Sequence, residues 1–116
     1  MLLCTGKVYY DLEATRKKLA RTDVAIVRLE QLYPLDGEII QALAPYADGT
    51  PLVWVQEEPR NSGAWYFLNA NLRHHIGDRL PLAVVSRAAS ASPATGSKAS
   101  HDLEQKLLLE QAFALG

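Results

Sequence analysis

Cysteine is almost absent from this sequence, which contains one, Cys4, among 116 residues. A single cysteine cannot form an intrachain disulfide, and this composition is typical of a reducing compartment. Cys4 lies inside an apolar run, and nothing near it in the sequence would lower the pKa of its thiol. We therefore expect Cys4 to pack in the core.

The sequence also lacks long apolar stretches and an excess of either charge. Its apolar runs are far shorter than the roughly 20 residues of a membrane-spanning helix, and the apolar N-terminus has no basic segment before it, which disfavours a signal peptide. Lys and Arg number 12 against 13 Asp and Glu, so no basic face for nucleic acid or an anionic membrane is expected. With 48% hydrophobic residues, the composition is that of a globular domain.

Four short apolar runs recur along the chain: LLCTGKV, DVAIVRLEQ, PLVWVQE and PLAVVS. Each is continuously apolar rather than alternating, which predicts strands buried on both faces of a sheet. Segments with helical period lie between these runs. The alternation predicts an α/β fold, a three-layer α/β/α arrangement around a mainly parallel sheet, with residues 1–116 forming a single domain.

Four helices are expected from the periodicity. The first follows YDLEATRKKLA, the second YPLDGEIIQALAPY with Asp36 as its N-cap, the third spans residues 63–76, and the fourth starts near Ser100. The first has Tyr9, Leu12, Arg16 and Leu19 on one face, the third Trp65, Leu68, Leu72 and Ile76, and the fourth carries Leu103, Leu107 and Leu108.

Polar residues gather where the predicted strands end, at the edge where open parallel sheets bind ligands. Two interpretations remain open: the charges at this edge pair with one another, or its basic members frame an anion site. The residues are Lys7, Arg28, Glu30, Gln31, Gln56, Glu57, Glu58, Arg60, Ser86 and Arg87, and the basic subset is Lys7, Arg28 and Arg87, with Lys98 as a further candidate.

The segment SASPATGS, which leads into the last helix, offers hydroxyls, a glycine and backbone N–H groups suited to an anion. It lacks the residue order of a Walker loop or a dinucleotide-binding glycine motif. Small residues also allow two backbones to approach closely. Of the two interpretations, we favour close packing at an interface.

The acids and histidines of the sequence predict no self-sufficient catalytic site. Glu57 and Glu58 are neighbours on an extended strand, so we expect them to point to opposite faces and not to share a proton. His74 and His75 diverge by about 100° around a helix, and with no third ligand at metal spacing they are expected at the surface, as is His101. No serine, cysteine or zinc constellation is present.

As a set, the strings LLCTGKVYYDL, VAIVRLEQLYPL, WVQEEPRNSGAWYF and SRAASASPATGSKASHDLEQ resemble the C-terminal domain of the thiamine-diphosphate-dependent 2-oxoglutarate dehydrogenase component. The resemblance covers nearly the whole chain, in order. It implies a fold like the transketolase C-terminal domain. Transketolase itself and other thiamine-diphosphate-dependent 2-oxo-acid dehydrogenases share that fold but are not expected to carry these strings together.

The resemblance implies a function as well. Enzymes of this family decarboxylate 2-oxoglutarate in the tricarboxylic acid cycle and pass the succinyl group to the lipoyl arm of a dihydrolipoyl succinyltransferase component. Thiamine diphosphate and Mg²⁺ bind in a larger N-terminal part, across a homodimer interface. The chain is then expected to be a C-terminal fragment cut at a domain boundary, to contain no catalytic residue, cofactor or metal of its own, and to be inactive in isolation.

The family domain helps to build the dimer, and in some members it helps to bind an adenine-containing effector, AMP or acetyl-CoA. The resemblance carries this role to Arg28, in the string VAIVR, and more weakly to Lys7 and Arg87. This sequence has Ala88 where many relatives have proline, and it also departs from the common pattern at Arg60.

Two further expectations stay open. An exposed Trp65 or Tyr66 would favour a contact surface for the succinyltransferase component, although both side chains are expected to face the core or the dimer mate. The resemblance suits a bacterial cytoplasm, or a mitochondrial matrix if the source is eukaryotic.

Overall fold

In a computed structural model, which describes residues 1–30, 37–87 and 98–116, strands and helices alternate along the chain. The strands are β1 (Leu2–Cys4), β2 (Ile26–Arg28), β3 (Leu52–Pro59) and β4 (Leu82–Arg87). The helices are α1 (Val8–Leu19), α2 (Gly37–Leu43), α3 (Trp65–Ile76) and α4 (Lys98–Leu115).

The four strands form one sheet in the order β2-β1-β3-β4, and every pairing is parallel. Leu3 pairs with Val27 on one side and with Trp54 on the other, so β1 is a central strand. All three β1 residues are buried, and so are the first five of β3, whereas β2 at the edge is only half-buried or exposed. Burial on both faces explains the continuous apolar runs.

Helices cover both faces of the sheet, which confirms the predicted three-layer α/β/α fold. On one face, side chains of α2 and α3 pack with Leu3, Trp54 and Leu52. On the other face, side chains of α1 and α4 pack with Leu2, Cys4, Val53 and Val55. Adjacent residues of one strand thus enter different clusters, as the alternation of side chains along a strand requires.

The first two predicted strands are longer than β1 and β2, which have three residues each. β1 ends at Cys4, and Gly6, with φ of +74°, turns the chain into α1, which starts at Val8. Such a φ favours glycine. Thr5 donates a side-chain hydrogen bond to the carbonyl of Leu29 at 2.8 Å, and this contact joins the ends of β1 and β2.

Two helices differ from expectation in the residues they bury. In α1, Leu12 is fully buried, but Leu19, the last residue of the helix, is exposed. In α4, Leu108 is buried with Ala112 and Phe113, whereas Leu103 and Leu107 are exposed. The third predicted helix is confirmed, since Trp65, Leu68 and Leu72 are buried in α3 and Ile76 packs against the same cluster. The predicted cap Asp36 lies outside the described residues.

Two arginines cap helix C-termini. Arg21 donates to the carbonyl of Phe113 at 2.9 Å and pairs with Asp23 at 2.8 Å. Arg79 donates to the carbonyls of Leu43 at 2.9 Å and Tyr46 at 2.7 Å. A cation at this end complements the helix dipole and satisfies carbonyls that have no partner within the helix. No helix in the described ranges is long and apolar enough to cross a membrane.

Candidate functional site

The carboxyl ends of β1 and β3 border a crevice at the point where the chain changes direction across the sheet. From β1 the chain passes through α1 to β2 on one side, and from β3 it passes through α3 to β4 on the other. Open α/β sheets bind ligands at such a switch point. A cavity of about 450 Å³ lies here.

Both polar strand ends line this cavity. Thr5, Gly6 and Lys7 come from the turn between β1 and α1, while Glu57 and Glu58 come from the end of β3. The remaining lining residues are Val8, Trp54, Val55, Gln56, Gly63 and Ala64. Lys7 thus shares the crevice with two acidic residues, so the lining is not that of a purely cationic anion-binding site.

Gln56 organises one wall of the crevice from a buried position. Gln56 is only 3% exposed, and its Oε1 accepts a hydrogen bond from Trp54 Nε1 at 2.9 Å. Its Nε2 donates to the carbonyls of Pro59 at 2.8 Å and Ser62 at 2.9 Å. One amide therefore ties β3 to the turn that follows it, and a buried polar group so satisfied favours a single conformation.

Gly63 completes the same turn. Its φ is +70°, and a Cβ built at this position would lie 2.8 Å from Glu58 Oε2 and 3.2 Å from Gln56 Oε1. A side chain at Gly63 would therefore be strained in its backbone and would displace Glu58. The glycine in the string NSGAW is therefore explained by the conformation of this turn.

Glu57 and Glu58 both contribute to the crevice at the end of β3. Gln56 and Glu58, two residues apart, both lie beside Gly63. The register of β3 against β4 shifts between Val55 and Pro59, so the pairing is irregular where the two acids lie. That Glu57 and Glu58 point to opposite faces stays a prediction.

Arg28 ends the edge strand β2 and is exposed. Its guanidinium lies over the rings of Tyr9 and Tyr10, with Cζ 5.5 Å and 5.4 Å from the two ring centroids. Its Nη1 donates to the hydroxyl of Tyr10 at 3.4 Å. A cation over aromatic faces is held in place while its outer edge stays open to solvent.

Arg87 ends the opposite edge strand, β4, in different surroundings. Its side chain is only 13% exposed, and Nη1 lies 2.9 Å from Glu104 Oε2. Its Nη2 donates to Gln105 Oε1 at 3.0 Å, and Gln105 Nε2 donates to Asp11 Oδ2 at 3.0 Å. Nη1 also lies 3.3 Å from Nδ1 of the exposed His101. This chain of contacts joins β4, α4 and α1.

The three predicted cations therefore occupy separate places. β2 and β4 lie at opposite edges of the sheet, three strand spacings or about 14 Å apart. Among the described residues, no ion pair joins two strand ends, and Arg87 pairs instead with Glu104 of α4. The interpretation that the edge charges pair with one another is not what the described part of the chain shows.

Cys4 and the remaining candidates lie where expected. Cys4 is fully buried, which confirms its place in the core, and burial raises the pKa of its thiol to about 11 against the lowering effect of Arg28. His74 and His75 are exposed, as predicted. Within residues 1–30, 37–87 and 98–116, no three His, Cys, Asp or Glu side chains converge as a metal site. Residues 88–97, which include the whole segment SASPATGS, lie outside the described residues.

Comparison with known proteins gives the family. Residues 1–113 match the family described as 2-oxoglutarate dehydrogenase C-terminal. This chain belongs to that family. It is 47% identical over 115 residues to the 2-oxoglutarate dehydrogenase E1 component of Cupriavidus necator, with 98% of this chain and 12% of the relative covered. The Haemophilus influenzae E1 component gives the same identity and coverage.

A relative from an animal matches as well. The chain is 38% identical over 117 residues to the protein of Caenorhabditis briggsae named 2-oxoglutarate dehydrogenase, mitochondrial, with 99% of this chain and 11% of that protein covered. The resemblance stated from the sequence strings is thereby confirmed. The chain spans about an eighth of the length of the bacterial relatives, since 12% of each is covered.

In this 2-oxoglutarate dehydrogenase C-terminal domain, two contributors were not predicted as site residues from the sequence. The tyrosine pair Tyr9 and Tyr10 supports Arg28, and Gln105 bridges Arg87 to Asp11. The YY pair next to LLCTGK was a visible signal, whereas the bridge by Gln105 depends on contacts between residues that are distant in sequence. Gln56 was predicted as a polar residue at a strand end, but its role in holding the crevice wall was not.

Proposed function

We propose that this chain is the C-terminal structural and dimerising domain of a 2-oxoglutarate dehydrogenase, an oxidoreductase of the tricarboxylic acid cycle that transfers a succinyl group to a lipoyl arm. The observation that carries the proposal is the family match over residues 1–113. The structure is consistent with a supporting role, because Thr5 and Gln56 beside the crevice both donate their side-chain hydrogen bonds to backbone carbonyls of the domain.

In this proposal, thiamine diphosphate and Mg²⁺ bind to other parts of a longer enzyme. Mg²⁺ beside a diphosphate takes one or two protein carboxylates together with phosphate oxygens and water. No catalytic step is assigned to a residue of this chain.

The first test is direct. The 116-residue chain, supplied with thiamine diphosphate, Mg²⁺ and 2-oxoglutarate, is expected to release no carbon dioxide above the rate of a buffer control. Measurable decarboxylation that depends on the chain would contradict the structural role.

A domain exchange gives the positive test. Replacing the matching segment of the Cupriavidus necator relative with this chain is expected to retain dimerisation and lipoyl succinylation, whereas deleting the segment is expected to abolish both. A matched exchange carrying Leu3→Asp, which places a charge in the core, is expected to behave like the deletion. A folded exchange protein that stays monomeric would argue against the proposal.

Partners and compartment follow from the same proposal. The domain acts within a homodimer that serves a dihydrolipoyl succinyltransferase component. Trp65 is buried and is therefore no candidate for that contact, but Tyr66 is 60% exposed at the start of α3. A bacterial cytoplasm or a mitochondrial matrix suits the function, in keeping with the bacterial and mitochondrial names among the relatives.

A second candidate function is the binding of an adenine-containing effector, AMP or acetyl-CoA, at Arg28. The supporting observation is its exposed guanidinium held over Tyr9 and Tyr10. Lys7 and Arg87 are weaker candidates, because Lys7 shares its crevice with two acids and Arg87 is engaged by Glu104.

Calorimetry with AMP and acetyl-CoA on the domain-exchange enzyme tests this role. A charge-assisted contact contributes about 1.5–3 kcal/mol, so Arg28→Ala is expected to raise Kd by roughly ten- to a hundredfold. Arg60→Ala, at another exposed strand-end arginine, is the matched control and is expected to bind normally. Equal loss in both variants, or binding unchanged by Arg28→Ala, would remove this function.

A further inference from the structure

The crevice at the switch point contains opposite charges that do not pair with each other. Lys7 comes from the turn before α1, and Glu57 and Glu58 come from the end of β3. Within residues 1–30, 37–87 and 98–116, no ion pair closer than 4.0 Å includes any of these three side chains. A cation and an anion that share a cleft without contact leave space between them for a ligand.

The carboxylate of Glu58 belongs to the crevice itself. A Cβ built on Gly63 would lie 2.8 Å from Glu58 Oε2, so this oxygen lies directly beside Gly63, which also lines the crevice. Because Gly63 has no side chain, the carboxylate has room at this place. Lys7 and Glu58 are both exposed, so a solute can reach both charges.

The rest of the lining is either engaged or apolar. Thr5 donates its hydroxyl hydrogen to a backbone carbonyl, and the amide of Gln56 is held by Trp54 and by two carbonyls of the following turn. Val8, Trp54 and Val55 are buried and supply apolar surface. A cavity of about 450 Å³ with apolar walls and a few polar groups has the form of a small-molecule site.

We propose that this crevice binds a small zwitterion, an amino acid whose ammonium group lies near Glu58 and whose carboxylate lies near Lys7. Both contacts are charge-assisted hydrogen bonds, which are stronger than neutral ones. A ligand with a single charge leaves the opposite charge of the crevice without a partner. The site is separate from Arg28, which does not line the crevice, and the inference does not rest on the proposed function.

Calorimetric titration of the chain tests the class of ligand. Glycine, β-alanine and γ-aminobutyrate carry the same two charges at increasing separation, and at least one of them is expected to bind saturably. The matched ligands are the carboxylate and the alkylammonium ion that remain when one charged group of the best binder is replaced by hydrogen. Each loses one charge-assisted contact and is expected to bind about tenfold more weakly or worse.

Substitutions test the two contacts. Glu58→Gln and Lys7→Met are each expected to raise the Kd of the best binder by about tenfold or more, while the far-ultraviolet circular dichroism stays unchanged. Glu110→Gln and Lys18→Met make the same changes at exposed residues outside the crevice and are the matched controls. Both controls, and Arg28→Ala, are expected to bind like the parent chain.

Four results would overturn the proposal. The first is that the folded chain binds none of the three amino acids saturably. The second is that the ligands with one charge bind as tightly as the zwitterion. The third is that binding is unchanged in Glu58→Gln and Lys7→Met, which would place it elsewhere. The fourth is an equal loss in the control variants or in Arg28→Ala, which would show non-specific attraction or a site at Arg28.

Discussion

The two edges of the sheet end in the same residue type but hold it in opposite ways. Arg28 closes β2 and stays exposed over Tyr9 and Tyr10, whereas Arg87 closes β4 and is 13% exposed between Glu104 and Gln105 of α4. The helix packed beside each edge makes the difference. At one edge α1 presents aromatic rings, which hold a cation without neutralising it, and at the other α4 presents a carboxylate and an amide. Arg87 therefore supports the fold, and Arg28 remains able to meet a ligand.

The largest effect that this comparison predicts is on stability at Arg87. Arg87→Met keeps the apolar stem but removes three side-chain contacts from a mostly buried group. Breaking a buried pair costs about 3–5 kcal/mol, but Glu104 is partly exposed and can be rehydrated. We therefore expect a loss of about 2–3 kcal/mol in the free energy of unfolding, measured by urea denaturation. If the free energy of unfolding falls no more than it does in Arg28→Met, the two arginines do not differ in their contribution to stability.

The next effect concerns the bridge from Arg87 to α1. Gln105→Ala removes the amide that accepts from Arg87 and donates to Asp11. We expect a loss of about 1 kcal/mol by the same measurement. Because the two side chains contact each other, their effects should not add: the double variant Gln105→Ala with Arg87→Met should lose less free energy of unfolding than the two single variants lose together. Full additivity would show that the contacts at this edge act independently.

A smaller effect is expected at the other edge. Arg28→Met removes an exposed cation from two tyrosine rings, which typically contributes about 0.5–1 kcal/mol. Denaturation should therefore detect little change, while effector binding by the longer enzyme should fall. A loss of stability comparable with that of Arg87→Met would show that Arg28 is a structural residue as well.

The smallest effect is a pH dependence at the Arg28 edge. A hydrogen bond from Tyr9 holds the pKa of Glu13 below its ordinary value of 4.5, with nearby Lys17 and Arg16 acting in the same direction. A carboxylate whose pKa is lowered on folding stabilises the protein above its unfolded pKa, and this contribution disappears as the pH falls through the folded value. Glu13→Gln should therefore flatten the loss of stability below pH of about 4.5. An unchanged acid profile would contradict this contribution.

Much of the fold could be predicted from the sequence, because the signals are local. Continuous apolar runs indicated buried parallel strands, and Trp65, Leu68 and Leu72 showed the core face of α3. The candidate site could be predicted only as a set of strand ends. Gln56 gives no pattern of its own, and its role arises because Trp54, Pro59 and Ser62 converge on one amide. The irregular register at the end of β3 likewise depends on pairing with β4.

By itself, the sequence determined the order of strands and helices, the buried place of Cys4 and the family to which the chain belongs. These follow from periodicity, from hydrophobicity and from strings of neighbouring residues. Only the tertiary structure decided that the strands order as β2-β1-β3-β4, so that Arg28 and Arg87 end at opposite edges. It also decided which arginine is neutralised. The physical reason is that charge pairing and burial depend on residues brought close by folding, such as Arg87 and Glu104, and nothing in their local sequence specifies that contact.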